Sequence, residues 1–354
     1  MPYDRTVHGL KSRTEILFTE VSHNTSVFIG IDGGGTHSFA VAVDSSGKLL
    51  AAARAGSLNF FSSGLPTARR NLKMLVGLVE RQLPPNIHFK RAVVGCAALF
   101  SGASKSEQEK LCHGILPLAR TRVVSDCQTA CFGATLGEPG VVIISGTGSI
   151  VLAQNEVGKS RRVGGWGHIL GDPGSAYWIA LESVRAAIAA EEGLGLKTSL
   201  GRAIRRWFKV KKLTEIVPAI YRPDFAKEEL AALAERVAKE VAGRDAVFCD
   251  ICRRAGRELA SQALAAARLA RLKACPLPVY LVGGVLARNS LVRANLVAAL
   301  KKSWPVRIEE PRLSPLSGAA AMALRDAGVE VTDRVVATIA RFDQIERVRR
   351  PRQL

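Results

Sequence analysis

"GIDGGGTHS", Gly30 to Ser38, stands between two apolar runs, Val27 to Ile29 and Phe39 to Val43. A two-residue turn is enough for a hairpin, so an acidic residue followed by three glycines and a threonine needs a reason. One reason is conformational: the glycines supply positive φ angles for an irregular turn, and Asp32 hydrogen-bonds its own backbone. The other is chemical. Without Cβ atoms, Gly33, Gly34 and Gly35 let backbone N–H groups approach an anion, and Thr36 adds a hydroxyl. Asp32 would then lie beside a phosphate, which is favourable only through a bridging divalent cation such as Mg²⁺. A phosphate role calls for a second turn of the same kind. "ISGTGSI", Ile144 to Ile150, supplies one about 110 residues downstream, with Gly146, Thr147 and Gly148 between two strands. "VYLVGGVLARN", Val279 to Asn289, adds a strand, Gly283 and Gly284, and a helix. The recurrence in matched strand contexts predicts two phosphate-type hairpins facing across a cleft that holds a nucleotide.

With 354 residues and 47% apolar composition, the chain can bury substantial cores and is expected to form two domains. No stretch approaches the roughly 18 apolar residues of a membrane span, and residues 1–26 lack an apolar signal region, so a cytoplasmic protein without a membrane partner is expected. The net charge of +19 raises the question of nucleic acid, yet the charges are dispersed and aromatics make up only 6%, so no nucleic-acid partner is expected. Seven cysteines do not form a secreted disulfide framework. Cys249 and Cys252 have CxxC spacing without a second pair, and together with Cys127 and Cys131 they read as core residues on helices. "AQNEVGKS" has Ala153 where a Walker loop needs glycine and joins two β-like segments, so it reads as a surface turn.

Alternating patterns predict strands at 27–31, 38–43 and 49–53, a helix stopped by Pro84 and Pro85, a strand at 91–98, a helix, and a short strand ending at Asp126. A second round starts with strands at 141–144 and 149–154, then a long helical region to about 274 and a strand at 279–282.

Together with these turns, "GGWGHILGDPGSAYWIA", Gly164 to Ala180, resembles the BadF/BadG/BcrA/BcrD-type ATPases of the actin-like and sugar-kinase superfamily, closest to their N-acetylglucosamine kinase branch. The resemblance implies an α/β protein of two ribonuclease-H-like domains flanking a cleft: a polar extension at 1–26, a first domain at 27–135, a second with a helical insertion at 136–332, and a helix with a basic tail at 333–354 returning to the first. It implies an ATP-dependent kinase for the 6-hydroxyl of an amino sugar, most closely N-acetylglucosamine, with ATP and Mg²⁺ as cofactors and a homodimer left open. Asp126 matches the general base, with a helix N-cap as its structural alternative. Thr36 and Thr147, with their flanking glycines, match phosphate contacts, and Gly283, Gly284 and Ala287 match the adenosine turn. Asn59, Ser149, Gly165, Trp166, Gly167 and Asp172 match the sugar site, and Asp32 a Mg²⁺ contact through water. His168 reads as a satisfied partner of a backbone carbonyl. The chain departs from the family pattern at Pro173, where a glutamate is usual, and at Ile150, where asparagine follows "GTGS". A kinase for glucosamine or N-acetylmuramic acid, an iron-sulfur ATPase activator and a catalytically silent sugar sensor are the alternatives. The activator needs exposed thiolates, and the sensor needs a DNA-binding module for which residues 1–26 are too short.

Overall fold

The computed structural model describes residues 25–85, 87–99, 104–241 and 243–349. The expected polar extension thus lies almost entirely outside the described residues, as do residues 350–354 of the basic tail. The first sheet contains β1 (Val27–Gly33), β2 (His37–Val43), β3 (Leu49–Gly56), β4 (Phe89–Cys96) and β5 (Thr121–Ser125), in the order β3-β2-β1-β4-β5. The second contains β6 (Gly140–Ser145), β7 (Ser149–Gln154), β8 (Ser160–Gly164), β9 (Leu277–Val282) and β10 (Val306–Glu309), in the order β10-β9-β6-β7-β8. Antiparallel β1–β2–β3 and parallel β1–β4–β5 are matched by antiparallel β6–β7–β8 and parallel β6–β9–β10. The chain is therefore α/β with one ribonuclease-H-like topology used twice. The short strand β10 was not foreseen: Val306 and Ile308 alternate with Arg307 and Glu309, but four residues are too few for the pattern to declare a strand.

Strand alternation sends Val27, Ile29 and Ile31 to one face of the first sheet. There they meet Leu72, Leu75 and Val79 of the helix Leu65–Glu80. Phe28, Val41, Val93 and Val124 face the other way, into a core with Leu316, Ala320 and Ile339. At Gly30 the helix Pro315–Asp326 comes so close that a Cβ would lie 2.3 Å from the Ala320 nitrogen. The helix Pro315–Asp326, through Leu316 and Ala320, and the last helix Asp333–Arg349, through Ile339, both pack on the first sheet. In the second sheet Val141 and Ile143 face the helices Ala176–Glu191 and Ala246–Ala270, while Val142 and Leu152 face Cys127, Cys131 and Ala134 of the helix Asp126–Thr135. That helix lies between the sheets and crosses Pro315–Asp326, where a Cβ at Gly318 would sit 2.4 Å from the Thr129 carbonyl oxygen. The Asn155–Lys159 segment is a plain β7–β8 turn, in which the Gly158 N–H donates to the Asn155 carbonyl at 3.0 Å and Gly158 has φ 75°.

Candidate active site

Register places Gly33 of β1 beside Cys96 of β4, and Cys96 beside Ser125 of β5, so three parallel strands end in a row. Parallel strands of an α/β sheet present their ligands at this carboxyl edge. Asp126 leaves that edge as the first residue of the helix Asp126–Thr135, not as the end of the strand. It is not the N-cap either: Ser125 holds that place, and its N–H donates to the Gln128 Oε1 at 3.1 Å. Relieved of capping, the Asp126 carboxylate accepts the Cys127 N–H at 2.7 Å. Burial pushes its pKa above the ordinary aspartate value, against the pull of that amide and of Lys227. Its thiol neighbours Cys96 and Cys127 are pushed up to about 11 by burial, so both stay neutral. The Cys96 Sγ donates to the Leu58 carbonyl at 3.3 Å, which ties Asn59 to the same corner.

The two glycine hairpins contradict the conformational reason for their glycines: none of Gly33, Gly34, Gly35, Gly146 and Gly148 has positive φ. Close approach and open space explain them instead. A Cβ at Gly33 would lie 2.5 Å from the Gly95 carbonyl oxygen, at Gly34 2.7 Å from the His37 carbonyl oxygen, and at Gly148 2.6 Å from the Asp172 Oδ2. A Cβ at Gly146 would meet nothing within 4 Å, because this residue lines a cavity. The cavity, of about 710 Å³, runs from Thr36, Gly146 and Thr147 to Gly284, Arg288 and Ser290. Gly283, with φ 100°, lets the turn after β9 press on Ser145, where a Cβ would lie 2.3 Å from the carbonyl oxygen. Ala287 is exposed and outside the cavity's lining. Asp32 ends the apolar part of β1, immediately before the first turn.

Beside the second hairpin, positive φ appears at Gly164, Gly165 and Gly167, so here the glycines of "GGWG" do serve a coiled backbone. Gly165 leaves room for Ile150, whose Cδ1 would be 2.6 Å from a Cβ there. Trp166 is 58% exposed, neither core nor enclosed, with the Arg162 guanidinium 5.5 Å from its ring centroid. His168 packs edge-on to Tyr177 at 4.8 Å rather than on a backbone carbonyl, and burial with the nearby Lys227 charge lowers its pKa. Asp172 is buried in a left-handed conformation, φ 56°, which aspartate tolerates better than most residues. Its Oδ1 has no hydrogen-bond partner, and burial raises its pKa although the Ser149 amide and Lys227 pull it down. The Ser149 Oγ donates to the Pro173 carbonyl at 2.9 Å, so the proline serves the loop as an acceptor and its missing N–H is not needed. Asn59 caps the short helix Phe60–Ser63 through its Oδ1, which accepts the Phe61 N–H at 3.1 Å.

Lys227 and Glu228, at the start of the helix Lys227–Val241, were missed. Glu228 lines the cavity, its Oε1 3.8 Å from a Cβ at Gly35 across the cleft. "FAKEELAALAERV" declares an amphipathic helix, but no local pattern announces that its first turn reaches the opposite sheet's hairpin.

Residues 29–342 match the model of the BadF/BadG/BcrA/BcrD ATPase family. An N-acetylmuramic acid/N-acetylglucosamine kinase of Clostridium acetobutylicum is 31% identical over 78% of this chain and 91% of its own. An N-acetyl-D-glucosamine kinase of Dictyostelium discoideum is 34% identical over 56% of this chain and 65% of its own. Among solved structures, a Chromobacterium violaceum protein assigned as an N-acetylglucosamine kinase superposes with a TM-score of 0.68 at 25% identity, over 85% of this chain and 99% of that one. A ROK family glucokinase from Streptomyces griseus shares the fold, with a TM-score of 0.51 at 16% identity over 85% of this chain and 100% of that one. With its doubled sheet, paired hairpins and a family match over nearly all described residues, the chain belongs to the BadF/BadG/BcrA/BcrD ATPase family.

Proposed function

We propose that this chain is an ATP-dependent kinase for the 6-hydroxyl of an amino sugar, with N-acetylglucosamine preferred. The observation that carries this reading is the buried, unpartnered Oδ1 of Asp172 beside the second hairpin. A buried carboxylate oxygen without a partner costs about 1–3 kcal/mol or more, and sugar hydroxyls are donors that would relieve it. Asn59 and Trp166 supply an amide and a ring face for the same ligand. ATP enters the cavity between Thr36 and Thr147, with its adenosine end toward Gly284.

Asp126 accepts the proton of the 6-hydroxyl as that oxygen attacks the γ-phosphorus. The new bond joins sugar oxygen to phosphorus, the bond from phosphorus to the β,γ-bridging oxygen breaks, and ADP leaves with that electron pair. Burial raises Asp126's proton affinity, which makes it a stronger base than a free aspartate. Mg²⁺ would be held mainly by phosphate and water. Asp32 is the carboxylate that would reach it, and the ion would neutralise phosphate charge.

ADP release measured across N-acetylglucosamine, glucosamine, N-acetylmuramic acid, N-acetylmannosamine and glucose tests the reading. The highest kcat/KM is expected with N-acetylglucosamine. Turnover of glucose without any amino sugar would overturn the substrate, and Ile150, packed on Gly165, is where the cause would be sought.

A further inference from the structure

The helix Lys227–Val241 forms one wall of the nucleotide cavity. Ala231, Ala234, Glu235 and Ala238 of that wall fall at i, i+3, i+4 and i+7, so a single helix face meets the cavity, and it is smooth except for Glu235. At 1.5 Å per residue, Glu235 stands about 10 Å along the axis from Glu228, the wall residue that approaches Gly35 of the first hairpin. The opposite wall is the helix Gly284–Arg288 with Asn289 and Ser290. Arg288 and Glu235 join the two walls, with the Arg288 Nε 3.3 Å from the Glu235 Oε2. The other carboxylate oxygen of Glu235 holds the Lys239 Nζ at 2.9 Å. A Cβ at Gly284 would lie 2.6 Å from the Arg288 Nη2, so this glycine leaves the guanidinium room to fold back over the start of its own helix. The side chains of Arg288 and Glu235 are 64% and 43% exposed, a setting in which an ion pair adds little to stability. Its place is better explained by a ligand. The charge of Arg288 is already paired, and it lies away from the phosphate hairpins, so what it offers the cavity is a flat, positively charged plane.

We propose that Arg288 is a nucleotide-specificity residue: its guanidinium plane stacks on the nucleobase, and the larger π-face of a purine makes the cavity select purine over pyrimidine nucleotides. The assignment rests on the placement of the nucleotide given above. A guanidinium over an aromatic face gains both from stacking and from the attraction of a cation to the π-electrons, and both gains grow with the size of the face. Glu235 is a positioning residue, which holds the plane by its Nε edge and keeps its faces parallel to the alanine wall. The alanines matter for the same reason, since longer side chains at Ala231, Ala234 or Ala238 would fill the slot that a flat base needs.

The test is titration calorimetry of the full chain with ADP and CDP, which share a diphosphate and differ in the base. The parent is expected to bind ADP about tenfold or more tightly than CDP. Arg288→Ala should weaken ADP about tenfold while CDP changes by less than about threefold, so the base preference collapses. Arg288→Lys keeps the charge and loses the plane, and should behave as the alanine variant does. Glu235→Gln should weaken ADP about threefold and lower the ADP-to-CDP preference in proportion, with the melting temperature unchanged because the pair is exposed. A purely structural role would weaken both diphosphates alike and leave their ratio where it was. A parent without base preference overturns the assignment, as does an equal loss of ADP and CDP in Arg288→Ala. Recovery of parent affinity in Arg288→Lys also overturns it, since a point charge would then be sufficient. These measurements need no sugar. A parent that binds ADP but phosphorylates no sugar overturns the kinase reading alone, and the base ratio still decides Arg288.

Discussion

The β6–β7 hairpin is belted by the loop that follows the sugar segment: the Ser145 Oγ donates to the Gly174 carbonyl at 2.8 Å, and the Ala176 and Tyr177 N–H groups donate to the Gly146 and Thr147 carbonyls at 2.8 and 3.3 Å. The β1–β2 hairpin has a lighter support, with the Leu58 N–H and Ser57 Oγ both donating to the Gly34 carbonyl at 3.3 Å and with Gly35 and Thr36 exposed at its tip. The difference teaches that one strand-turn-strand device has been given two couplings. In the second hairpin the turn lies against Asp172 at Gly148, where a Cβ would come within 2.6 Å of the Asp172 Oδ2, so a shift of one displaces the other. In the first, the turn lines the cavity and is linked to Asn59 through Leu58 and through the Ser57 Oγ, which accepts the Asn59 N–H at 2.9 Å.

Asp126 belongs to neither hairpin, and as the base of the proposed reaction its loss should be the largest effect. Asp126→Asn is expected to lower kcat about 10³-fold with ATP affinity unchanged, because a positioned base contributes 10²–10⁴-fold; near-parent turnover would leave the hairpins without a common reaction. Asp172→Asn comes next. Asparagine tolerates the same left-handed backbone, so folding is retained while sugar kcat/KM falls about 10²-fold and ATP binding holds within about twofold. Equal losses for both ligands would show that Asp172 supports the loop rather than the sugar.

The contrast itself is tested by paired alanines. Gly148→Ala must displace the Asp172 carboxylate and should raise sugar KM about tenfold, whereas Gly35→Ala, with its nearest neighbour at 3.8 Å, should raise ATP KM about threefold and spare the sugar. If Gly35→Ala harms sugar binding as much as Gly148→Ala does, the two couplings are not distinct. The smallest effect is in the pH profile. A base works only when ionised, so activity is present above its pKa and lost as pH falls through it. Asp126 and Asp172 both have raised values, so the acid limb should begin at higher pH than for free aspartate, and the sugar KM should rise over the same range. A limb at the ordinary aspartate value, read from initial rates between pH 4 and about 8, would contradict the burial of both groups.

Much of this site was legible because its devices are local. The glycine turns sit between apolar strands that alternate, and a strand, a Gly-Gly pair and a helix follow one another in "VYLVGGVLARN". What the glycines were for was not legible: at Gly33 and Gly148 the reason is a neighbour, Gly95 or Asp172, that is distant in sequence. Asp126 was picked out by the family resemblance as the end residue of an apolar strand, while its release from capping depended on Gln128 reaching back to Ser125.

The sequence by itself determined most of the strands, though not β8 or β10, together with the order in which the hairpins occur, the helical insertion and the chemical types at the cleft, since these follow from periodicity and from what glycine, threonine and aspartate can do within a few residues. Only the tertiary structure decided that Glu228 meets the first hairpin, that Asp172 keeps an oxygen without a partner, and that Trp166 stands half open under Arg162. Those facts depend on how two separately packed sheets are set against each other. That placement is fixed by the crossing helices Asp126–Thr135 and Pro315–Asp326, whose close approach at Gly133 and Gly318 joins residues nearly 200 positions apart.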